Sequence, residues 1–240
     1  MRSSVALLFL CTLLLTGINA SGNELKILII TGGHDFDRES FFQMFDSFNN
    51  LTYSELIHPE ALVKLGAMDP SSFDAVVFYD MPKTITDEEK KSYIRLLSEG
   101  KGLLFLHHSI CSFQDWPEFK SIVGGKYWEK KKNDKFGASS YTHDIDFYVQ
   151  IIHKSHPVTK RVKDFIIHDE VYGNLEVIPE VFPLLSTDHP KSNILIGWTL
   201  KKGNSKIVYI QPGHDKNSYN NTGYRTLIKQ AIIYITSDKP

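Results

Sequence analysis

The chain has little cysteine and almost no net charge. Cys11 and Cys111 are the only cysteines in 240 residues, and 27 lysines and arginines against 28 aspartates and glutamates leave a formal net charge of −1. Nucleic-acid binders usually carry a basic face or stripe, so no nucleic-acid partner is expected. The basic cluster over residues 130–135 also contains Asn133 and Asp134, which is typical of a solvated loop.

The beginning of the chain lacks a hydrophobic run long enough to span a membrane. The apolar run over residues 5–15 has about 11 residues, short of the ~20 that cross a bilayer, which argues against a membrane anchor. Arg2 precedes this run. Small residues follow it, at Gly17, Ala20, Ser21 and Gly22. This layout predicts a signal peptide over residues 1–22, cleaved after Ala20 or Gly22. We therefore expect an exported protein, periplasmic or secreted, with no membrane contact after the leader is removed.

The remaining chain is predicted to form one domain over residues 23–240. Cys111 is the one cysteine left after leader removal, so no internal disulfide forms. About 218 residues, in a sequence that is 42% hydrophobic, are enough to bury a sizeable core. No internal repeat, low-complexity tract or long linker divides them. A homo-oligomer is compatible with this sequence, which specifies no oligomeric state.

Short apolar runs alternate with helical patterns. The runs suit strands buried on both faces of a sheet, and they lie at residues 25–31, 74–79, 102–107 and 206–210. Helical spacing or a capping box marks residues 38–48, 86–97 and 223–235. The alternation predicts an α/β fold with a mainly parallel sheet and helices on both faces. Residues 125–199 are less regular, and their short alternating strands either extend this sheet or cover it.

Histidines gather where the predicted strands end. His34 follows the first run, His107 and His108 follow the run that begins at residue 102, and His214 follows the last run. Ligands of an open parallel sheet bind outside the carboxyl ends of its strands, so these four side chains are expected to line one cleft. Glycines precede His34 and His214 and allow the tight turns that bring both rings into the cleft.

Several kinds of chemistry remain open for these histidines. Histidine titrates near neutral pH and acts both as general base and as general acid. It is also a common metal ligand, although no compact motif such as H-E-x-x-H occurs. Nucleophilic catalysis is disfavoured, because Ser109 and Cys111 lack the flanking glycines of a nucleophile elbow. Asp169 and Glu170 are the candidate carboxylates that orient an imidazole or carry a proton.

The ordered set of motifs resembles the ThuA-like (trehalose-utilisation) family. The motifs are Gly32-Gly33-His34-Asp35-Phe36, the double histidine His107-His108, Trp116-Pro117 with Gly124-Gly125, His156-Pro157, Asp169-Glu170-Val171-Tyr172, Trp198 and Gly213-His214-Asp215. The resemblance extends from about residue 25 to residue 235. It implies a flavodoxin-like fold similar to that of class I glutamine amidotransferases. The cysteine elbow of those enzymes is missing, so amidotransferase activity is not expected.

The resemblance also implies a role in sugar catabolism, in particular of disaccharides and glycosides oxidised to 3-keto forms. A 3-keto group acidifies the hydrogen on C2, which a histidine of near-neutral pKa can remove. The resulting enolate can expel the C1 substituent, with a second histidine or Glu170 protonating the leaving oxygen. The hypothesis is a hydrolase or lyase acting on a small carbohydrate. Its candidate catalytic residues are His34, His107, His108, Asp169, Glu170 and His214. A metal-dependent hydrolase and a noncatalytic sugar-binding protein are the alternatives.

Four further residues of the motifs are candidates for substrate binding: Asp35, Tyr172, Trp198 and Asp215. The aromatic members of this set can stack on sugar faces or pack in the core. Other aromatic residues near the motifs share this ambiguity; they are Trp116, Tyr127, Trp128 and Tyr219.

The acid–base hypothesis requires no cofactor, but a divalent metal such as Zn²⁺ is the open alternative. Neighbouring residues of a strand point to opposite faces, so His108 is expected in the cleft with His107 packed behind it, unless a turn begins at His107. A mononuclear site would then combine His108, a second histidine and a carboxylate. The second histidine would be His34 or His214, and the carboxylate Asp169 or Glu170.

Overall fold

Residues 24–237 are described by the computed structural model, so the signal peptide predicted over residues 1–22 lies outside the described residues. No helix within this described part combines the length and the apolar character of a membrane span.

Eleven strands form a nine-stranded sheet and a separate two-stranded ribbon in the described residues. In chain order they are β1 (Leu25–Gly32), β2 (Leu51–Ile57), β3 (Ala75–Asp80), β4 (Gly102–Leu106), β5 (Gly125–Lys126), β6 (Ser140–Ile151), β7 (Phe165–Gly173), β8 (Glu176–Val177), β9 (Phe182–Ser186), β10 (Leu195–Lys202) and β11 (Ser205–Ile210). The large sheet has the order β2-β1-β3-β4-β11-β10-β9-β6-β7, and β5 pairs with β8.

The first five strands of this order are parallel, and the remaining four continue the sheet in antiparallel fashion. The parallel part has the 2-1-3-4-5 order of flavodoxin-like folds, which confirms the predicted fold class. The irregular middle segment extends the sheet as β6, β7, β9 and β10. The search for apolar runs did not predict strand β2. This strand lies at the sheet edge, and its half-buried and exposed residues form no apolar run.

Six α-helices flank the sheet in the described residues: α1 (Arg38–Asp46), α2 (Ala61–Ala67), α3 (Asp87–Ser98), α4 (Phe119–Val123), α5 (Lys216–Asn220) and α6 (Thr222–Thr236). The predicted capping box opens α3: the amide of Glu89 donates to Thr86 Oγ1 at 3.3 Å, and the amide of Thr86 donates to the Glu89 carboxylate at 2.7 Å. These two bonds satisfy amide groups that a helix start otherwise leaves without partners.

Apolar side chains pack on both faces of the sheet. Along β3, Val77 and Tyr79 face a cluster that includes residues of α1 and α6, whereas Val76 and Phe78 face a cluster with residues of α2, α3 and α4. This arrangement explains why the parallel strands read as continuous apolar runs. Polar side chains of the central strands are therefore confined to the strand ends, which positions the site.

Candidate active site

The backbone leaves the parallel strands through left-handed conformations. After β1, Gly32 and Gly33 have φ of 108° and 82°, and after β11, Gly213 has φ of 136°. His107 follows β4 with φ of 49° and begins a 3-10 turn over His107–Cys111. This turn breaks the strand alternation, so His107 and His108 both line the cavity described below. The stated exception, a turn beginning at His107, therefore applies, and the expectation that only His108 faces the cleft is corrected.

A cavity of about 400 Å³ opens at this carboxyl edge of the sheet. Its lining residues are His34, Met81, His107, His108, Cys111, Tyr127, Glu129, Tyr141, His143, Glu170 and Tyr172. His214 lies beside it and contacts His107 and Glu170. Four histidines separated by up to 180 positions in sequence thus meet at one place, as the strand-end argument predicts.

His107, Glu170 and His214 form the central group, here called the His–Glu–His cluster. His107 Nε2 lies 3.0 Å from Glu170 Oε2, and His214 Nδ1 lies 3.2 Å from the same oxygen. The two ring nitrogens are 3.3 Å apart. Tyr172 Oη adds a fourth polar atom, 3.0 Å from His107 Nε2.

The tautomer of His107 follows from its second ring nitrogen. Nδ1 lies 2.8 Å from the carbonyl oxygen of Gln211, which can only accept, so Nδ1 donates. The Nε2 atom of neutral His107 therefore presents a lone pair to Glu170 and Tyr172.

The Glu170 carboxylate is held in its ionised form. Burial raises its pKa, but the hydrogen bonds and positive charge that the protonated rings of His107 and His214 supply outweigh burial, so the pKa falls well below its usual range. The hydrogen bond with Glu170 raises the pKa of His214 in turn, against the opposing effect of partial burial. Glu170 is thus a poor proton donor near neutral pH.

His108 has the opposite character. Burial lowers its pKa well below the ordinary value, and the neighbouring rings of His107 and His34 lower it further, so the imidazole is neutral near pH 7. Its Nε2 atom is buried and has no hydrogen-bond partner among the described residues, while a backbone hydrogen bond with Tyr79 engages the other nitrogen. The His108 ring lies between His34 and Tyr79, with centroid distances of 4.8 Å and 4.3 Å. The cavity wall therefore holds a neutral imidazole that is fixed in place and whose Nε2 lone pair is unpartnered.

A sequence profile of the ThuA family, described as trehalose utilisation, matches residues 26–235. The chain belongs to the ThuA family. A solved ThuA-like protein from Parabacteroides merdae is 19% identical with a TM-score of 0.76, and the alignment covers 90% of this chain and 91% of that one. A ThuA-like protein from Bacteroides uniformis is 16% identical with a TM-score of 0.65, covering 90% and 93% of the two chains. A comparison with curated proteins found no match.

The same fold occurs inside larger enzymes. A β-galactosidase from Bacillus circulans is 8% identical with a TM-score of 0.57, and the alignment covers 89% of this chain but 31% of that one. At these identities the solved structures establish the fold of this ThuA-family chain and nothing about its substrate.

Asp169 of the ThuA-family site anchors backbone instead of facing the cavity. Its buried carboxylate accepts hydrogen bonds from the amides of Gly213 at 2.6 Å and His214 at 2.9 Å, and from the hydroxyl of Ser218. It also accepts from the amide of Glu170 at 2.6 Å. Of the two predicted roles, this placement disfavours proton transfer by Asp169, which positions the segment that carries His214.

The predicted substrate-binding residues divide in two groups. Tyr172 lines the cavity, as expected. Trp198 is fully buried and donates from Nε1 to the Val123 carbonyl at 2.8 Å, so it packs in the core and cannot stack on a sugar. Asp35 and Asp215 do not line the cavity; Asp215 caps α5 instead. These placements correct the predictions for Trp198 and Asp215, while that for Asp35 stays a prediction.

Three polar residues of the cavity, Glu129, Tyr141 and His143, were not identified in the sequence as candidates. His143 Nδ1 lies 3.6 Å from Glu170 Oε1. His143 and Tyr141 lie on β6, which belongs to the antiparallel part of the sheet, where the strand-end rule gives no guidance. Cys111 also lines the cavity, but burial raises the pKa of its thiol well above the ordinary value, so it is a poor nucleophile.

The candidate metal ligands predicted from sequence were His34, His108, His214 and Glu170. The structure brings Glu170 and His214 together, but their third partner is His107, since the turn at His107 directs this ring toward Glu170. His108 and His34 stack on each other outside this group.

Proposed function

We propose that this ThuA-family chain is a carbohydrate-active enzyme that acts on 3-keto glycosides or disaccharides by histidine acid–base chemistry. The observation that carries the proposal is the unpartnered Nε2 atom of His108, a residue that lines a cavity beside the His–Glu–His cluster. A buried, unpartnered polar atom in a cleft is the arrangement expected where a ligand supplies the missing partner.

The proposed reaction begins with His108. Its Nε2 lone pair takes the proton from C2 of the oxidised sugar, and the electron pair of the C2–H bond forms the C2=C3 bond of an enolate. As the 3-keto group re-forms, that electron pair becomes the C1=C2 double bond. The bond from C1 to the leaving oxygen breaks, and that oxygen takes a proton from the enzyme. Because the 3-keto group stabilises the intermediate enolate, the reaction needs no pair of carboxylates flanking the glycosidic bond.

A second histidine supplies the proton for the leaving oxygen. His143 and His214 are the candidates, since both lie beside the Glu170 carboxylate at the cavity. Glu170 stays ionised, so its part is to hold these rings and to balance their charge.

The cavity suits a small sugar. Its volume of about 400 Å³ lies within the range of ligand sites, roughly 300–1,000 Å³. Three tyrosines in its wall, Tyr127, Tyr141 and Tyr172, offer aromatic faces and hydroxyl groups to a polyhydroxylated ring. The proposed acid–base reaction requires no cofactor.

Turnover of 3-keto glucosides tests the proposal. Purified protein is incubated with a 3-keto glucoside in D₂O, and release of the aglycone and exchange of deuterium into C2 of the remaining substrate are followed. We expect His108→Gln to lower the rate roughly 10²- to 10⁴-fold, the usual contribution of a general base, while the melting temperature stays close to that of the parent.

His168→Gln is the matched control, because His168 lies on β7 and pairs with Asp146 outside the cavity. Its rate is expected to equal that of the parent. Sugar binding without turnover would replace the proposal with a noncatalytic sugar-binding protein. Turnover that His108→Gln leaves intact would remove His108 as the base.

A further inference from the structure

We propose that His107, Glu170 and His214 bind one divalent transition-metal ion, with Zn²⁺ as the preferred occupant. The ligand atoms are His107 Nε2, Glu170 Oε2 and His214 Nδ1, all within 4.8 Å of one another. Two histidines and one glutamate are a ligand set that catalytic zinc sites use, with the fourth position left to water or substrate.

The spacing of the three atoms matches that of ligands around one ion. Their separations are 3.0, 3.2 and 3.3 Å. Ligands about 2.0–2.2 Å from a metal are themselves roughly 3.3 Å apart in tetrahedral geometry and roughly 3.0 Å apart in octahedral geometry. An ion about 2.1 Å from all three atoms would lie only about 1 Å out of their plane. The ligands therefore need little rearrangement to bind it.

The hydrogen bonding of His107 leaves its Nε2 lone pair directed toward the cluster. His107 Nδ1 donates to the Gln211 carbonyl at 2.8 Å, which turns the lone pair of Nε2 toward the cluster. This lone pair lies 3.0 Å from a Glu170 carboxylate oxygen, and a metal ion bound by both atoms would offset the repulsion between them. Metal-bound histidines commonly donate their second ring nitrogen to a carbonyl in this way.

The third ligand is also held from behind. The amide of His214 donates to the buried carboxylate of Asp169 at 2.9 Å, and Asp169 accepts from the amide of Glu170 as well. The buried Asp169 carboxylate thus fixes the backbone of two ligands, Glu170 on β7 and His214 in the loop after β11. His107 and Glu170 line the cavity and the side chain of His214 is 29% exposed, so an ion can enter and one coordination position faces the cavity.

This geometry alone supports the binding site, while the role of the ion rests on the proposed function. The ion would place positive charge where the proposed reaction develops an enolate, which stabilises that charge. With His214 bound to the ion, His143 would be the remaining proton donor beside Glu170.

Metal binding is tested without any sugar. The full chain is purified without a histidine tag, treated with chelator and dialysed against Zn²⁺, and in parallel against Mn²⁺, Co²⁺ and Ni²⁺. Bound metal is then measured by elemental analysis and affinity by competition with a chromophoric chelator. We expect one ion per chain. His107→Ala, Glu170→Gln and His214→Ala should each weaken the affinity roughly 100-fold or more, since even residues behind the ligands change metal affinity 10- to 100-fold.

His168→Ala is the control for adventitious binding, because His168 also lies near two carboxylates, those of Asp144 and Asp146. Its affinity should match that of the parent, and melting curves establish that every variant is folded. Less than one-tenth of an ion per chain, or equal affinity in the parent and all three ligand variants, would overturn the metal site. Metal binding without turnover of 3-keto sugars would leave this site intact and refute the proposed function instead.

Discussion

One backbone angle determines which histidine of the pair reaches Glu170. His107 has φ of 49°, a left-handed conformation that is uncommon for residues with a side chain. The hydrogen bonds of its Nδ1 with Gln211 and of its carbonyl oxygen with Tyr209 hold the ring and backbone in this conformation. Such outliers cluster at functional sites, where the surrounding structure compensates for the strain.

Asp169 is expected to stabilise the fold, although its carboxylate does not face the cavity. Its two carboxylate oxygens accept four hydrogen bonds, so Asp169→Asn places an amide N–H₂ group against donors in a buried position. We expect this change to lower the free energy of unfolding by roughly 3 kcal/mol, measured by urea denaturation.

Asp215→Asn is the comparison for that experiment. Asp215 caps α5 by accepting from the Asn217 amide at 2.8 Å, a role that asparagine fills about equally well, so the change should stay within about 0.5 kcal/mol. Equal effects of the two substitutions would contradict the anchoring role of Asp169.

Because the pKa of Lys126 is lowered, its contribution to the free energy of unfolding should increase with pH in the alkaline range. Burial lowers its pKa to about 8, and its ammonium group donates to the carbonyl oxygens of Ser112 and Phe113. Between pH 8 and the unfolded-state pKa of about 10.4, the unfolded chain holds this proton and the folded chain does not. The contribution of Lys126 to unfolding free energy therefore rises over this window, by about 3 kcal/mol in all.

The measurement compares the parent with Lys126→Met at several pH values, because other titrating groups cancel in the difference. The parent should gain stability relative to the variant from pH 8 to pH 10, with a constant difference below pH 8. Lys131→Met, which removes an exposed lysine, controls for the loss of one positive charge. A difference that falls as the pH rises would refute the argument.

Among the secondary-structure elements, the loop after β1 packs its backbone closely against the backbone that follows β3. Gly33 has φ of 82°, and a Cβ atom there would lie 2.5 Å from the carbonyl carbon of Met81. Since neither backbone can yield without moving a strand end, Gly33→Ala should lower the free energy of unfolding by about 2–4 kcal/mol. The change is measured by chemical denaturation.

Gly137→Ala is the matched substitution, in a loop where an added Cβ atom has room. The nearest atom to a Cβ at Gly137 is the Asn174 amide nitrogen at 3.4 Å, so the effect should be within about 0.5 kcal/mol. A tolerated Gly33→Ala would show that the loop carrying His34 is free to adjust.

Elements with strong local signals were predicted well, and elements defined by their neighbours were not. Strands β1, β3, β4 and β11 are continuous apolar runs, and α3 carries its own capping box, so residues close in sequence were sufficient. The edge strand β2 and the antiparallel strand β6 mix exposed and buried residues, so partner strands decide their conformation.

At the scale of the whole molecule, the predicted export leads to a prediction about mass. We expect the mature protein, recovered after expression in its native host, to lack about 20–22 residues, because the apolar segment over residues 5–15 is typical of a signal peptide. Intact mass spectrometry distinguishes cleavage after Ala20 from cleavage after Gly22. Mature protein that retains Met1 would contradict export through a cleaved leader.

The sequence by itself determined the fold class and the sheet edge at which the site lies. Buried parallel strands must be apolar along their length, so polar residues that follow them are forced to the carboxyl edge. That rule alone predicts that His34, His107, His108 and His214 lie together. Only the tertiary structure decided which of them contacts Glu170, because a left-handed turn at His107 replaces the strand alternation. It also decided that Asp169 anchors backbone, that Trp198 packs in the core and that His143 joins the site, since these depend on packing between segments far apart in the chain.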